Sequence, residues 1–301
     1  MKNNSSPNPT DRVRTFQVDS LPKLLEETIK FSADTQTDTL WYRGVKDENY
    51  SLIPKAYRSI RNRDTGQTPM YSTPGHEFLQ TSEPAMISKF RQKAVPFLTQ
   101  TQSHPTNASL LVQMQHYGAP TRLLDWTENL LIAAYFAIDN VDYANDLGHV
   151  LKPAIWALRP NQWNQESAGD GTTNSEIRTF DSLAADSEVM NSDLNGWLPV
   201  NHIGDNVQYK RQRPLAVYAT HSNSRIQAQQ GAFTVAGHDT TGLEEQASHI
   251  QPLPNSDGYP LLAKFVFEPG ALQLKRELNS IGYRRSIIYP GLESICSELD
   301  F

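Results

Sequence analysis

Apolar residues recur at helical spacing over Leu21 to about Phe31, with Leu21, Leu24, Leu25 and Ile29 on one face. Ser20 can cap that helix, and Pro22 is tolerated in its first turn. Thr39-Leu40-Trp41-Tyr42-Arg43-Gly44, β-branched and aromatic with turn chemistry behind it, reads as a strand ending at Gly44, with Arg43 at its end. Helical spacing returns over Ala85 to Leu98 and over Ala108 to Tyr117. The second of these has Asn107 as its cap, a stripe of Leu110, Leu111 and Met114, and Gly118 to terminate it. Leu130 to Ile138 is apolar all round and rich in small residues, as a helix enclosed by other elements would be. Strand character follows at Ala154 to Leu158, Leu215 to Ala219, Ala232 to Val235, Leu262 to Phe267 and Ser286 to Tyr289, with helical patterns at Ala271 to Ile281 and Leu292 to Leu299. The mixture predicts an α+β fold: a mixed sheet with helices packed around a buried central helix, in a single domain.

Polar stretches refine this outline. Residues 1–18 open with an Asn/Ser/Pro-rich run that has no apolar signal core, which predicts a flexible N-terminal tail and leaves 19–301 as the domain. Asn161 to Leu198 carries seven carboxylates against Arg178 alone, with Gly169-Asp170-Gly171 inside it, and reads as a polar acidic insertion on the surface near 161–198. The chain has 301 residues, 38% of them hydrophobic, enough to bury one large core. Its net charge of -6 argues against a general electrostatic grip on nucleic acid or on an anionic membrane, unless Lys210-Arg211-Gln212-Arg213 and Arg284-Arg285 join one face. The longest apolar run, Leu130 to Ile138, falls well short of the roughly 20 residues that cross a bilayer. A lone cysteine, Cys296, forms no internal disulfide or thiolate-rich zinc site, which fits a reducing compartment and makes the cytoplasm the expected location.

Candidate chemistry is densest at Gln113-Met114-Gln115-His116-Tyr117-Gly118-Ala119-Pro120-Thr121-Arg122-Leu123-Leu124-Asp125-Trp126-Thr127, where a helix ends, the chain turns and the buried helix is expected to begin. His116, Thr121, Arg122 and Asp125 are held close there by rigid neighbours. Structural roles compete. Asp125 followed by Glu128 makes an Asp version of a capping box, Arg122 beside an aspartate can pin the turn as an ion pair, and His116 can face a helix dipole. Arg43 presents a planar fork to an anion or to a buried carboxylate, with Gly44 allowing close approach to the backbone. Arg225 and Gln229 are four apart, on one face of a helix over Ser222 to Gln230, where an Arg–Gln surface contact is the simpler reading for Arg225. No P-loop, GxGxxG, HExxH or Gly-x-Ser-x-Gly occurs, and no metal site is expected.

Trp41-Tyr42-Arg43-Gly44, the Gln115 to Thr127 block leading into Ala133-Ala134-Tyr135-Phe136-Ala137, and Arg225-Ile226-Gln227-Ala228-Gln229-Gln230-Gly231-Ala232-Phe233-Thr234 together resemble the FRG-domain family over about Leu40 to Pro290. Each of these three blocks sets polar residues beside a glycine or proline turn and a regular element, so they are expected to converge on one polar pocket for a small anionic or nucleotide-like ligand. Arg43, Arg122, Thr121 and Asp125 would bind it, and His116 and Gln229 would serve as hydrogen-bonding or proton-transfer groups. By analogy, an enzyme on this frame would carry out ADP-ribosyltransferase-like group transfer from NAD in a defence or toxin context. The late block holds Gln229 and Gln230 where such transferases carry a glutamate. The alternative is a non-catalytic interaction or sensor module of a defence system, with a protein as its partner.

Overall fold

The computed structural model describes residues 12–33, 39–61, 74–94, 97, 105–139, 151–168, 177–180, 197–199, 213–218, 224–252, 259–268 and 271–299. Strands β1 (Val13–Val18), β2 (Trp41–Val45), β3 (Leu123–Thr127), β4 (Ala154–Leu158), β5 (Leu215–Tyr218), β6 (Gly231–Val235) and β7 (Leu262–Phe267) form one seven-stranded sheet in the order β1-β7-β4-β2-β3-β6-β5. β1 and β7 are parallel and the other pairs antiparallel, so the sheet is mixed and the fold is α+β. The helices are α1 (Leu21–Ala33), α2 (Lys55–Arg61), α3 (Pro74–Glu77), α4 (Glu83–Ala94), α5 (Asn107–His116), α6 (Leu130–Ile138), α7 (Pro160–Ala168), α8 (Ser224–Ala228), α9 (Leu243–Ser248), α10 (Ala271–Ser280), α11 (Arg285–Ile288) and α12 (Leu292–Cys296), with a π-helical turn at Phe78–Ser82 leading into α4.

All of β4 is buried, because both sheet faces are covered. On one face Ile155 and Ala157 pack with Leu24 and Phe31 of α1, Ala133 and Ala134 of α6, and Leu274 and Leu278 of α10. On the other, Trp156 and Leu158 meet Trp41, Trp126 and Trp163. α6 is the enclosed helix that its all-round apolar sequence predicts, and it lies against β2 at Gly44. A Cβ added at Gly44 would sit 2.6 Å from Ala137 N and closer still to Ala133 O. The glycine therefore admits a helix backbone, where the sequence suggested a ligand.

Several expectations are corrected. Val13–Val18, assigned to the tail, is a strand whose Phe16 stacks on Phe265 with ring centroids 5.1 Å apart, and the buried Arg12 pairs with Glu166. The tail's residues 1–11 lie outside the described residues. In α1 the buried set is Leu21, Leu24, Thr28 and Phe31, while Leu25 and Ile29 face outward. Thr28 is admitted because its hydroxyl donates to Leu24 O at 2.7 Å. α5 is capped by Thr106, whose Oγ1 accepts from Ser109 N at 3.1 Å, and Asn107 instead accepts from Arg91 Nη2 at 2.7 Å. Of the 161–198 segment, the described parts are not a surface excursion, since Trp163, Phe180, Trp197 and Leu198 are buried. Ser286 to Tyr289 is not a strand. The Glu298 carboxylate accepts from Ser286 N at 2.6 Å and from its hydroxyl at 3.0 Å, which favours the helical turn α11 there.

Candidate functional site

β2 and β3 share a single register pair, Tyr42↔Thr127, and a cleft of about 370 Å³ lies beside it. Its walls come from β2, β3, β6, the end of α5, Phe136 of α6 and the α8 turn. Arg43 Nη1 reaches across the gap to donate to Asp125 O at 2.7 Å, and lies 3.6 Å from Asp125 Oδ2. Its side chain keeps 21% exposure, toward the cleft it lines. Burial pushes its pKa down, and the Asp125 charge opposes the shift.

Asp125 is a residue of β3, not a helix cap. The cap of α6 is Asn129, whose Oδ1 accepts from Leu131 N at 3.0 Å and Ile132 N at 3.3 Å. The strand intervenes because Leu123 to Thr127 pairs fully with β6. Gln115 Nε2 donates to both Asp125 carboxylate oxygens at 2.9 Å, and Gln115 Oε1 accepts the Thr121 hydroxyl. A chain of hydrogen bonds thus holds the Asp125 carboxylate at the cleft mouth.

Gln115 and His116 occupy the last turn of α5, which a Schellman motif closes. Gly118, at φ 78°, bonds from its N–H to Gln115 O at 2.9 Å, and Ala119 N donates to Met114 O at 2.9 Å. Burial lowers the His116 pKa, the nearby Arg225 charge lowers it further, and Asp125 opposes both. The imidazole is therefore neutral at pH 7 and available as a proton acceptor. A depressed folded pKa contributes stability that is present above the ordinary histidine value of about 6.5 and is lost as the pH falls through the folded value. The wild type should accordingly lose melting temperature relative to His116→Gln as the pH drops below about 6.5. Parallel profiles of melting temperature against pH for the two proteins would show that His116 is unperturbed.

The late block is fastened to β3. The Thr127 hydroxyl donates to Gln229 O at 2.7 Å, and Glu128 N donates to Gln230 O at 3.0 Å. Gln230, at φ 46°, turns the chain into β6. Gln229 Nε2 donates to Ile288 O at 3.2 Å, and the Arg225 guanidinium lies 4.8 Å from the Tyr289 ring centroid. Both Gln229 and Arg225 line the cleft.

Arg43, His116, Asp125 and Gln229 are thus brought together, whereas Arg122 and Thr121 are not in the cleft. Arg122 is fully buried, with Nε donating to Glu83 Oε1 at 2.9 Å, Nη1 to Ala236 O at 2.9 Å and Nη2 to Trp197 O at 2.8 Å. All three directions of its fork are spent on tying α4 to the end of β6 and to Trp197. Thr121 is fully buried and serves Gln115 and Leu123 N. Gln115 and Arg225 are lining residues that the sequence reading did not select. Gln115 was adjacent to His116 in the densest block, and Arg225 was four residues before Gln229. Among the described residues no group of three or more His, Cys, Asp or Glu side chains is placed to hold a metal ion, and no helix is long and apolar enough to cross a membrane.

Residues 38–146 match the family model of the FRG domain. Comparison with curated proteins and with solved structures gave no match. The matched stretch contributes Arg43, Gln115, His116 and Asp125 to the cleft. The resemblance expected as far as Pro290 extends beyond it, and Arg225 and Gln229 lie outside the match.

Proposed function

We propose that the cleft binds a small anionic, nucleotide-like ligand. The observation that carries this reading is the convergence of two guanidinium groups, Arg43 from β2 and Arg225 from α8, with His116 and Gln229 in one cleft. Guanidinium forks match phosphate and carboxylate oxygens, and the Gln229 amide and the His116 imidazole add directional hydrogen bonds. Tyr42, Phe136 and Phe233 supply flat apolar walls of the kind that packs against a base. At about 370 Å³ the space is near the lower end of the roughly 300–1,000 Å³ typical of ligand pockets, which suits a mononucleotide. A dinucleotide such as NAD would extend past the mouth.

Group transfer from NAD is the second reading, favoured by a carboxylate, Asp125, and a neutral imidazole sharing the cleft with the two cations. In that chemistry Asp125, from β3, takes the place of the glutamate that the late block lacks. A non-catalytic interaction or sensor module of a defence system, in which the polar cluster is structural, predicts neither nucleotide binding nor turnover.

Calorimetric titration with nucleoside mono-, di- and triphosphates and NAD separates these. A mononucleotide should bind wild type, and Arg43→Lys and Arg225→Gln should each weaken it about tenfold, with added salt weakening it further. If no member of the panel binds, the anionic-ligand reading is wrong. NAD consumption followed chromatographically on the same samples decides between transfer and binding alone.

A further inference from the structure

Arg225 stands on a helix of five residues and is exposed, yet its guanidinium is stacked before any ligand arrives. The surface it stacks on is Tyr289, in the segment that follows α11 and far from the FRG match in sequence. We infer that Tyr289 is a positioning residue for the cleft, its ring aiming the Arg225 guanidinium at the bound anion. The inference rests on the anionic-ligand reading above and adds to it the element that makes Arg225 effective.

Tyr289 is itself held from several directions. Its hydroxyl donates to Asp139 Oδ2 at 2.8 Å, at the C-terminal end of α6. A second guanidinium, Arg285, lies 5.0 Å from the same ring centroid, and its Nη1 sits 3.4 Å from Asp139 Oδ1. Phe136, a lining residue of the cleft, meets the Tyr289 ring edge-on with centroids 6.2 Å apart and planes at 73°. The neighbouring Ile288 O accepts the Gln229 amide at 3.2 Å, so the same segment also fixes a second cleft residue. Burial, and then Asp139, push the Tyr289 phenol upward, which keeps it a protonated donor to Asp139 at every physiological pH.

The physical gain is preorganisation. A long arginine side chain on a short exposed helix loses rotamer freedom when it clamps a ligand, and a ring that already confines it removes part of that cost. The ring's attraction for a cation is modest, enough to confine the guanidinium without competing with a phosphate for its N–H donors.

A double-mutant cycle on the full chain tests this, with adenosine 5′-monophosphate and inorganic pyrophosphate as probes in calorimetric titrations. Tyr289→Leu should weaken binding by about three- to tenfold, while Tyr289→Phe, which keeps the ring, should stay within about twofold of wild type. In an Arg225→Gln background, Tyr289→Leu should have no further effect, since nothing is left for it to aim. The Arg225 Nε–H resonance in the free protein, shifted by the ring current, should move on Tyr289→Leu and hold on Tyr289→Phe. If wild type binds and Leu and Phe weaken it equally, or if Tyr289→Leu costs the same in the Arg225→Gln background, Tyr289 has a structural role only and the inference is overturned. If neither probe binds wild type, Arg225 has no phosphate to be aimed at and the inference fails, whereas the anionic-ligand reading falls only if no member of the wider nucleotide panel binds.

Discussion

Gly44→Ala should be among the most damaging single-methyl changes in the chain, costing about 3 kcal/mol, the upper end of the usual overpacking range, or more. The reason is what the new methyl would strike. Its neighbours are Ala133 O and Ala137 N, backbone atoms of α6, and a helix backbone cannot swing aside as a flexible side chain can. The whole of α6 would have to retreat from β2, carrying Phe136 away from the cleft and pulling at Asn129, its cap. Denaturant unfolding should show a lowered midpoint at unchanged slope, with ligand binding impaired in whatever protein remains folded. A variant within about 0.5 kcal/mol of wild type would mean that α6 is free to shift and that its approach to β2 is not tight.

Arg122→Met should cost a comparable amount, about 3–5 kcal/mol, because it strands the buried Glu83 carboxylate and leaves Ala236 O and Trp197 O without their donor. Arg122→Lys should fall between wild type and Met, since one ammonium cannot reach three acceptors set in fork geometry. The double change Glu83→Leu with Arg122→Met should recover part of the loss, because it removes both buried charges together. Urea titrations of the four proteins provide the comparison. Equal stability of Arg122→Met and wild type would return Arg122 to consideration as a ligand group.

The Arg122 result marks the boundary of what the chain reveals before it folds. The residues of Gln115 to Thr127 that matter were all visible as a cluster, and the α6 core helix followed from its uniform apolarity. What could not be read was direction. Asp125, in the middle of β3, points to the cleft while Arg122, in the bend just before the strand, goes inward to Glu83, and a capping-box pattern at Asp125 and Glu128 hid the strand altogether. Tertiary pairing with β6 outweighed that local signal. β1 was obscured for a similar reason, since Val13 to Val18 mixes apolar with charged and polar residues and becomes a strand only against β7. Arg225 was legible as a polar helix residue, but its ring partner at Tyr289 lies too distant in sequence for any periodicity to connect them.

The parallel pairing of β1 with β7 imposes an order of events on a ribosome. Val13–Val18 emerges before β2 to β6, yet its partner Leu262–Phe267 follows only after all of them have been made. Until then β4, which β7 also flanks, presents an open edge of apolar residues on the nascent chain. The half of the sheet built from β2, β3, β5 and β6 can form earlier, because each strand's neighbour is already in hand. Slow translation or an early stop before Leu262 would therefore release a chain with β1 unpaired and one edge of β4 open, the form most prone to pair with a second copy or to be captured by a chaperone.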